Sequence, residues 1–142
     1  MPTLYHVPLS PFCRKVRLSL AEKRVECELV EVRYWEKEPE FLRRNPAGKV
    51  PVLKIDGKLL AESSAICEWI EEVYPEPALM PESPDERAEV RRLVQWFDDK
   101  FHKEVTANLL YERVNKKLMK SGYPESRNIK MGAQKIKFHL DY

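Results

Sequence analysis

Two side chains in the stretch Leu9-Ser10-Pro11-Phe12-Cys13-Arg14-Lys15-Val16-Arg17 could carry chemistry: the hydroxyl of Ser10 and the thiol of Cys13. Ser10 suits a helix N-cap, and Pro11 has the fixed φ of a first helical position. Both groups therefore sit where unpaired backbone N–H groups and the helix dipole favour an anion, and a thiolate is such an anion. A free thiol with a pKa of about 8.5 is only ~3% ionised at neutral pH, whereas a pKa near ~6.5 would leave about three-quarters as thiolate. That difference corresponds to roughly 2.7 kcal/mol. A helix N-terminus supplies typically ~0.3–1 kcal/mol and up to about 2 in a partly buried site, so the remainder needs a charge-assisted hydrogen bond from a placed hydroxyl. On these residues alone, Ser10 equally reads as a cap and Cys13 as packing in the first turn.

The flanking elements must hold that turn. Residues 3–7, Thr-Leu-Tyr-His-Val, are β-branched and aromatic and read as a strand in which Tyr5 packs; Val16 and Leu20 give the following helix its apolar stripe. Residues 25–32 read as a second strand, making a parallel crossover unit. Glu40-Phe41-Leu42 suggests a short helix ended by Asn45-Pro46, and 47–51 an irregular loop. Asp56-Gly57 between 51–55 and 58–61 is a hairpin signal. Ile66, Trp69, Ile70 and Val73 define an amphipathic helix beginning near Glu62-Ser63. Pro75, Pro77 and Pro81 mark a linker. Ser83-Pro84-Asp85-Glu86 is a capping box, and Val90 to Leu109 continue at helical spacing, predicting one long helix to about Lys117. A last helix carries Ile129, Ala133, Ile136 and Leu140 on one face. The order is βαβαββα, a mixed sheet covered by helices, followed by helices alone.

Composition narrows the function. Lys and Arg number 25 against 23 Asp and Glu, a net charge of +2, so no global field directs the chain to nucleic acid. The cluster Arg14, Lys15, Arg17, Lys23 and Arg24 reads as the solvated side of the first helix. No run is long or apolar enough for a bilayer, and no leader pattern opens the chain, which predicts a cytoplasmic protein. Cys13, Cys27 and Cys67 have no metal-ligand spacing, and His6, His102 and His139 are scattered and read as strand or surface histidines, so no metal is expected.

Three separated motifs, Ser10-Pro11-Phe12-Cys13, Asn45-Pro46-Ala47-Gly48-Lys49-Val50-Pro51 and Glu62-Ser63, together resemble the glutathione S-transferase superfamily, with a serine-type active site. The resemblance covers roughly residues 1–80 and weakens beyond. It implies a thioredoxin-like glutathione-binding domain (1–76), a linker (77–84) and an all-helical domain (85–142) that is incomplete here. Ser10 would donate to the glutathione sulfur, with Phe12 beside it. Val50-Pro51 would be a cis-proline turn whose backbone pairs with the cysteinyl part. Glu62 would accept the γ-glutamyl ammonium, Ser63 would hold the γ-glutamyl carboxylate, and Lys49 would reach the glycyl carboxylate. Read without the resemblance, Ser63 is an N-cap and Lys49 a solvated loop charge.

The resemblance implies a homodimeric transferase that joins glutathione to a small electrophile, a detoxification chemistry without nucleic acid or membrane. Two alternatives stand beside it. Cys13 matches the second cysteine of Cys-x-x-Cys relatives and, if exposed, would support thiol-disulfide exchange. The chain could instead be a non-catalytic glutathione-binding scaffold. Family members usually continue through more helices, so the long helix is expected to expose apolar surface here, favouring self-association.

Overall fold

A computed structural model describes residues 1–142, which divide into two units, Met1–Glu82 and Ser83–Tyr142. The first contains β1 (Thr3–His6), α1 (Pro11–Glu22), β2 (Glu28–Glu31), a 3₁₀ turn (Tyr34–Glu36), α2 (Pro39–Arg44), β3 (Val52–Ile55), β4 (Lys58–Ala61) and α3 (Ser63–Val73). The sheet order is β2-β1-β3-β4, with β1 parallel to β2 and antiparallel to β3, and β3 antiparallel to β4. This is the expected thioredoxin-like arrangement. β2 is shorter than its sequence suggests and largely exposed, because it is an edge strand with one partner. The hairpin turns at Asp56 and Gly57, both at positive φ (48° and 76°), as a two-residue turn requires.

Leu4, Val16, Leu20, Leu53, Ile55, Ile66 and Ile70 form one core between sheet and helices, while Tyr5, Phe41 and Val52 pack into a second cluster. One residue departs from expectation here. Lys23 does not join a solvated basic face: its side chain is fully buried, paired with Glu71 at 2.6 Å, and donates to the carbonyls of Pro75 and Pro77. Glu71 in turn accepts from the N–H groups of Leu79 and Met80, so the proline-rich segment is tied to the first unit. His6 is buried, and the Arg17 guanidinium donates to its Nδ1 at 3.1 Å.

The second unit is helical. A continuous helical path runs through α4 (Pro84–Gln95), a π-helical stretch (Trp96–Thr106), α5 (Ala107–Leu110), a second π-helical stretch (Tyr111–Asn115) and α6 (Lys116–Met119); α7 spans Ser126–Asp141. Ser83 caps the path, accepting from the Glu86 N–H at 3.2 Å and donating to the Glu86 carboxylate. The face expected of α7 is half right: Ile129 and Ile136 are half-buried. Ala133 and Leu140 point outward, while Gly132 and His139 are the buried residues. A Cβ on Gly132 would lie 2.8 Å from Leu109 Cγ, so α7 crosses α5 at a distance only glycine permits. His139 is not a surface residue: it accepts from Trp96 Nε1 at 3.0 Å on Nδ1, which leaves Nε2 to donate to Glu104 at 2.9 Å. Phe97 (53%), Phe138 (53%) and Leu140 (77%) are exposed. No helix is long and apolar enough to cross a membrane.

Candidate functional site

One row of the sheet organises the site. Tyr5 pairs with Val52, and Val52 with Ala61. From that row β1 runs on toward Ser10, β3 is entered through Val50-Pro51, and β4 leaves toward Glu62-Ser63. Three segments distant in sequence therefore emerge at one end of the sheet, because β3 runs against both of its neighbours.

At the first segment Ser10 is the N-cap of α1, and its Oγ accepts from the Cys13 N–H at 3.2 Å. Accepting that bond leaves the hydroxyl with a proton of its own, and the Cys13 sulfur is the neighbour it faces within the protein. The Ser10 N–H donates to the Val7 carbonyl, and Arg17 Nη2 donates to the Pro8 carbonyl at 2.9 Å. One guanidinium thus joins the end of β1, through His6, to the turn that presents Ser10. Burial and then Arg17 push the His6 imidazole below its ordinary value, partly offset by Glu31, which keeps it a neutral acceptor. Cys13 is fully buried. Burial pushes its thiol up, outweighing the Ser10 hydroxyl, the Val7 backbone and Arg17, all of which favour the thiolate. Phe12 is half-buried on the same turn.

The second segment is the 45–51 loop. The Val50–Pro51 peptide is cis, as expected, and Pro51 is buried. Its organiser is Asn45, only 5% exposed, whose Nδ2 donates to the Lys49 carbonyl at 2.8 Å and whose Oδ1 accepts from the Ala47 N–H. Gly48 takes φ +62° at the bend. The Lys49 side chain is exposed and Val50 is half-buried.

At the third segment Glu62 is the N-cap residue of α3, exposed and at φ 68°, with no side-chain cap hydrogen bond. Ser63 is not the cap but the first helical residue, and it is 6% exposed. The reading of Ser63 as a mere cap therefore fails, and the start of an eleven-residue helix carries no side-chain acceptor of its own. Lys15 Nζ donates to Ser64 Oγ at 2.9 Å, joining α1 to this helix start.

Asn45, Lys15 and Arg17 were not picked out as site residues from sequence. Asn45 carries two sequence signals, the Asn-Pro pair that ends α2 and its place at the head of the Asn45–Pro51 motif, and neither says that the amide turns inward. No cluster of His, Cys, Asp or Glu is arranged to hold a metal ion.

Residues 4–78 match the family model described as "Glutathione S-transferase, N-terminal domain". The chain belongs to the glutathione S-transferase superfamily. Among curated relatives it is similar to FtsZ-localized protein A of Caulobacter vibrioides, 46% identical over 145 aligned residues that cover 99% of this chain and 63% of that protein. It also resembles maleylacetoacetate isomerase of Rattus norvegicus, 38% identical over 97 residues, 65% of this chain and 45% of the relative. Among solved structures, a glutathione S-transferase from Rhodospirillum rubrum superposes with a TM-score of 0.97 at 49% identity, covering all of this chain and 64% of that one. The chain thus spans under two-thirds of the length of these superfamily members.

Proposed function

We propose that this protein binds glutathione at the end of the sheet where Ser10, Val50-Pro51 and Glu62-Ser63 converge, and that Ser10 stabilises the glutathione thiolate for attack on a small electrophile. The observation that carries the reading is the contrast at the start of α1. The Cys13 sulfur is fully buried and held as a thiol, whereas the Ser10 hydroxyl is only half-buried and keeps its proton to donate. The charge-assisted hydrogen bond and the helix N-terminus together supply the preference for the anion. The sulfur then attacks the electrophilic carbon, forming a C–S bond as the leaving group departs or the unsaturated bond takes the electron pair.

In this reading the backbone N–H groups at the start of α3, with Ser63, hold the γ-glutamyl carboxylate, and Glu62 takes the ammonium. The Val50 backbone pairs with the cysteinyl part, Lys49 meets the glycyl carboxylate, and Phe12 packs beside the sulfur. A cytoplasmic homodimer acting in detoxification belongs to the same proposal. Thiol-disulfide exchange through Cys13 is disfavoured, because its sulfur is neither ionised nor accessible.

A second reading has a specific observation behind it: one relative at 46% identity is named for its localisation with FtsZ rather than for a reaction. In that reading the domain is a glutathione-binding scaffold. Conjugation of glutathione to a chromogenic aryl halide separates the three. Activity retained by Cys13→Ser and lost by Ser10→Ala supports the transferase. Absence of conjugation together with reduction of a glutathione mixed disulfide, abolished by Cys13→Ser, supports exchange chemistry. Glutathione binding without turnover in the wild-type protein supports the scaffold.

A further inference from the structure

The turn between α6 and α7 carries a concentration of charge that the glutathione site does not use. Residues 111–137 hold eight basic side chains against two acidic ones, a net of +6 in a chain whose total is +2, so the remainder carries −4. Arg113, Lys117, Lys120, Arg127, Lys130, Lys135 and Lys137 are all exposed. Earlier in the same unit at least three of the five cations are matched: Arg92 pairs with Glu89, Lys103 with Asp99, and Lys100 with Glu104. In 111–137 only Lys116 forms an ion pair, with Glu112 at 2.8 Å and Glu125 at 3.9 Å, while Lys135 favours the Glu104 carboxylate from beyond ion-pair distance.

The fold draws these charges together rather than leaving them on a loose tail. Buried Glu112 accepts from the Glu125 N–H and from Asn128 Nδ2, both at 2.9 Å, pinning the start of α7 against the end of the long helical path. Lys116 Nζ donates to the Tyr123 carbonyl, and the Ser121 N–H to the Lys116 carbonyl. Lys117 and Lys120 therefore share one tip with Arg127 and Lys130. Tyr123 (92% exposed) and Leu118 (52%) stand on the same tip. Along α7, Lys130 and Lys137 flank an open depression that Ala133 and Gln134 complete.

We infer that this tip is a docking surface for an acidic segment of another protein. Its charge is complementary to carboxylates, and Tyr123 supplies the exposed aromatic that protein interfaces favour. A polypeptide fits better than a nucleic acid or a bilayer. Only two of the eight basic residues are arginine, the side chain suited to forked phosphate contacts. The net −4 outside the segment opposes an extended polyanion, while a short acidic segment meets only the tip.

The test is fluorescence anisotropy with a labelled oligo-glutamate peptide at low salt. Two double variants with the same charge change are compared: Arg127→Glu/Lys130→Glu at the tip and Arg43→Glu/Lys54→Glu in the first unit. Arg127 lies in the first turn of α7, where glutamate is favourable, and Lys130 is exposed just beyond it, where glutamate is a good helix former, so the tip variant keeps its helix, which circular dichroism verifies. The tip variant is expected to bind the peptide about tenfold more weakly and the first-unit variant to change less than about twofold, with affinity falling as salt rises. Absence of peptide binding, or equal losses in both variants, overturns the proposal. So does tighter binding of an oligothymidine or of phosphatidylserine vesicles than of the peptide.

Discussion

The two units are stabilised by different means. In Met1–Glu82 eleven apolar side chains are buried, led by Leu4, Val16, Leu53, Ile66 and Ile70, and the candidate site rests on the ends of the elements they pack. In Ser83–Tyr142 the only buried apolar side chain is Val105, and the interior contacts are directional: Glu112 to Asn128 and the Glu125 N–H, Trp96 to His139, and His139 to Glu104. Apolar burial is insensitive to pH and tolerant of small shifts, whereas hydrogen-bonded pairs depend on protonation and geometry. The first unit thus holds the candidate site residues on an apolar core. The second relies on a few charged and polar pairs.

Substitutions should separate the two regimes. Leu53→Ala removes a fully buried side chain from the apolar core and is expected to cost about 2–5 kcal/mol in the first unit. A denaturant titration followed by tryptophan fluorescence in a Trp96→Phe background, which leaves Trp35 and Trp69 of the first unit, measures it, and a loss under about 1 kcal/mol would contradict the contrast.

Glu112→Gln ranks next. Lys116, then Asn128 and the Glu125 N–H, hold the Glu112 carboxyl down to about 2, below its ordinary value of 4.5. A depressed carboxylate stabilises the fold above its ordinary value and loses that contribution as pH falls through the folded one. Helicity of the wild-type protein followed by circular dichroism should therefore weaken between pH 4.5 and about 2. Glu112→Gln should melt earlier at neutral pH and lose that part of the acid response.

Gly132→Ala follows. Overpacking against Leu109 costs about 1–3 kcal/mol, partly offset by about 1 kcal/mol of helix propensity, so a lower melting temperature is expected. An unchanged or raised one would mean that α7 can move off α5 freely. The smallest effect on stability is expected from Asn45→Ala, about 1 kcal/mol. Its signature is different: weaker glutathione binding by calorimetry, because the loop leading to Val50-Pro51 loses its brace.

The same contrast explains what could be read from sequence. The turn at Ser10-Pro11, the Asp56-Gly57 hairpin and the capping box at Ser83 are local signals, and each stands where its residues indicate. The apolar faces of α1 and α3 are legible because periodicity reports apolar burial. It cannot report Lys23, whose partner Glu71 lies far along the chain, nor the buried face of α7. There Gly132 offers no side chain and His139 is polar, so Ala133 and Leu140 gave a more hydrophobic but mistaken stripe. The π-helical stretches 96–106 and 111–115 have no sequence signal we can identify. At the site the motifs named Ser10, Val50-Pro51 and Glu62-Ser63; Asn45 lies in the same motif as Val50-Pro51, but its amide's bracing of the loop depends on a local turn geometry the residue types do not specify, and Lys15 and Arg17 were hidden because their partners lie on other elements.

The central claim is that the first unit presents a preformed hydroxyl to a bound thiolate. The most direct measurement is the ultraviolet thiolate absorbance of glutathione titrated onto the protein across pH, beside Ser10→Ala. The account predicts bound glutathione ionising about two pH units below its free value, a shift that Ser10→Ala largely abolishes. Glutathione bound with an unshifted thiol, or a shift that survives Ser10→Ala, would contradict it.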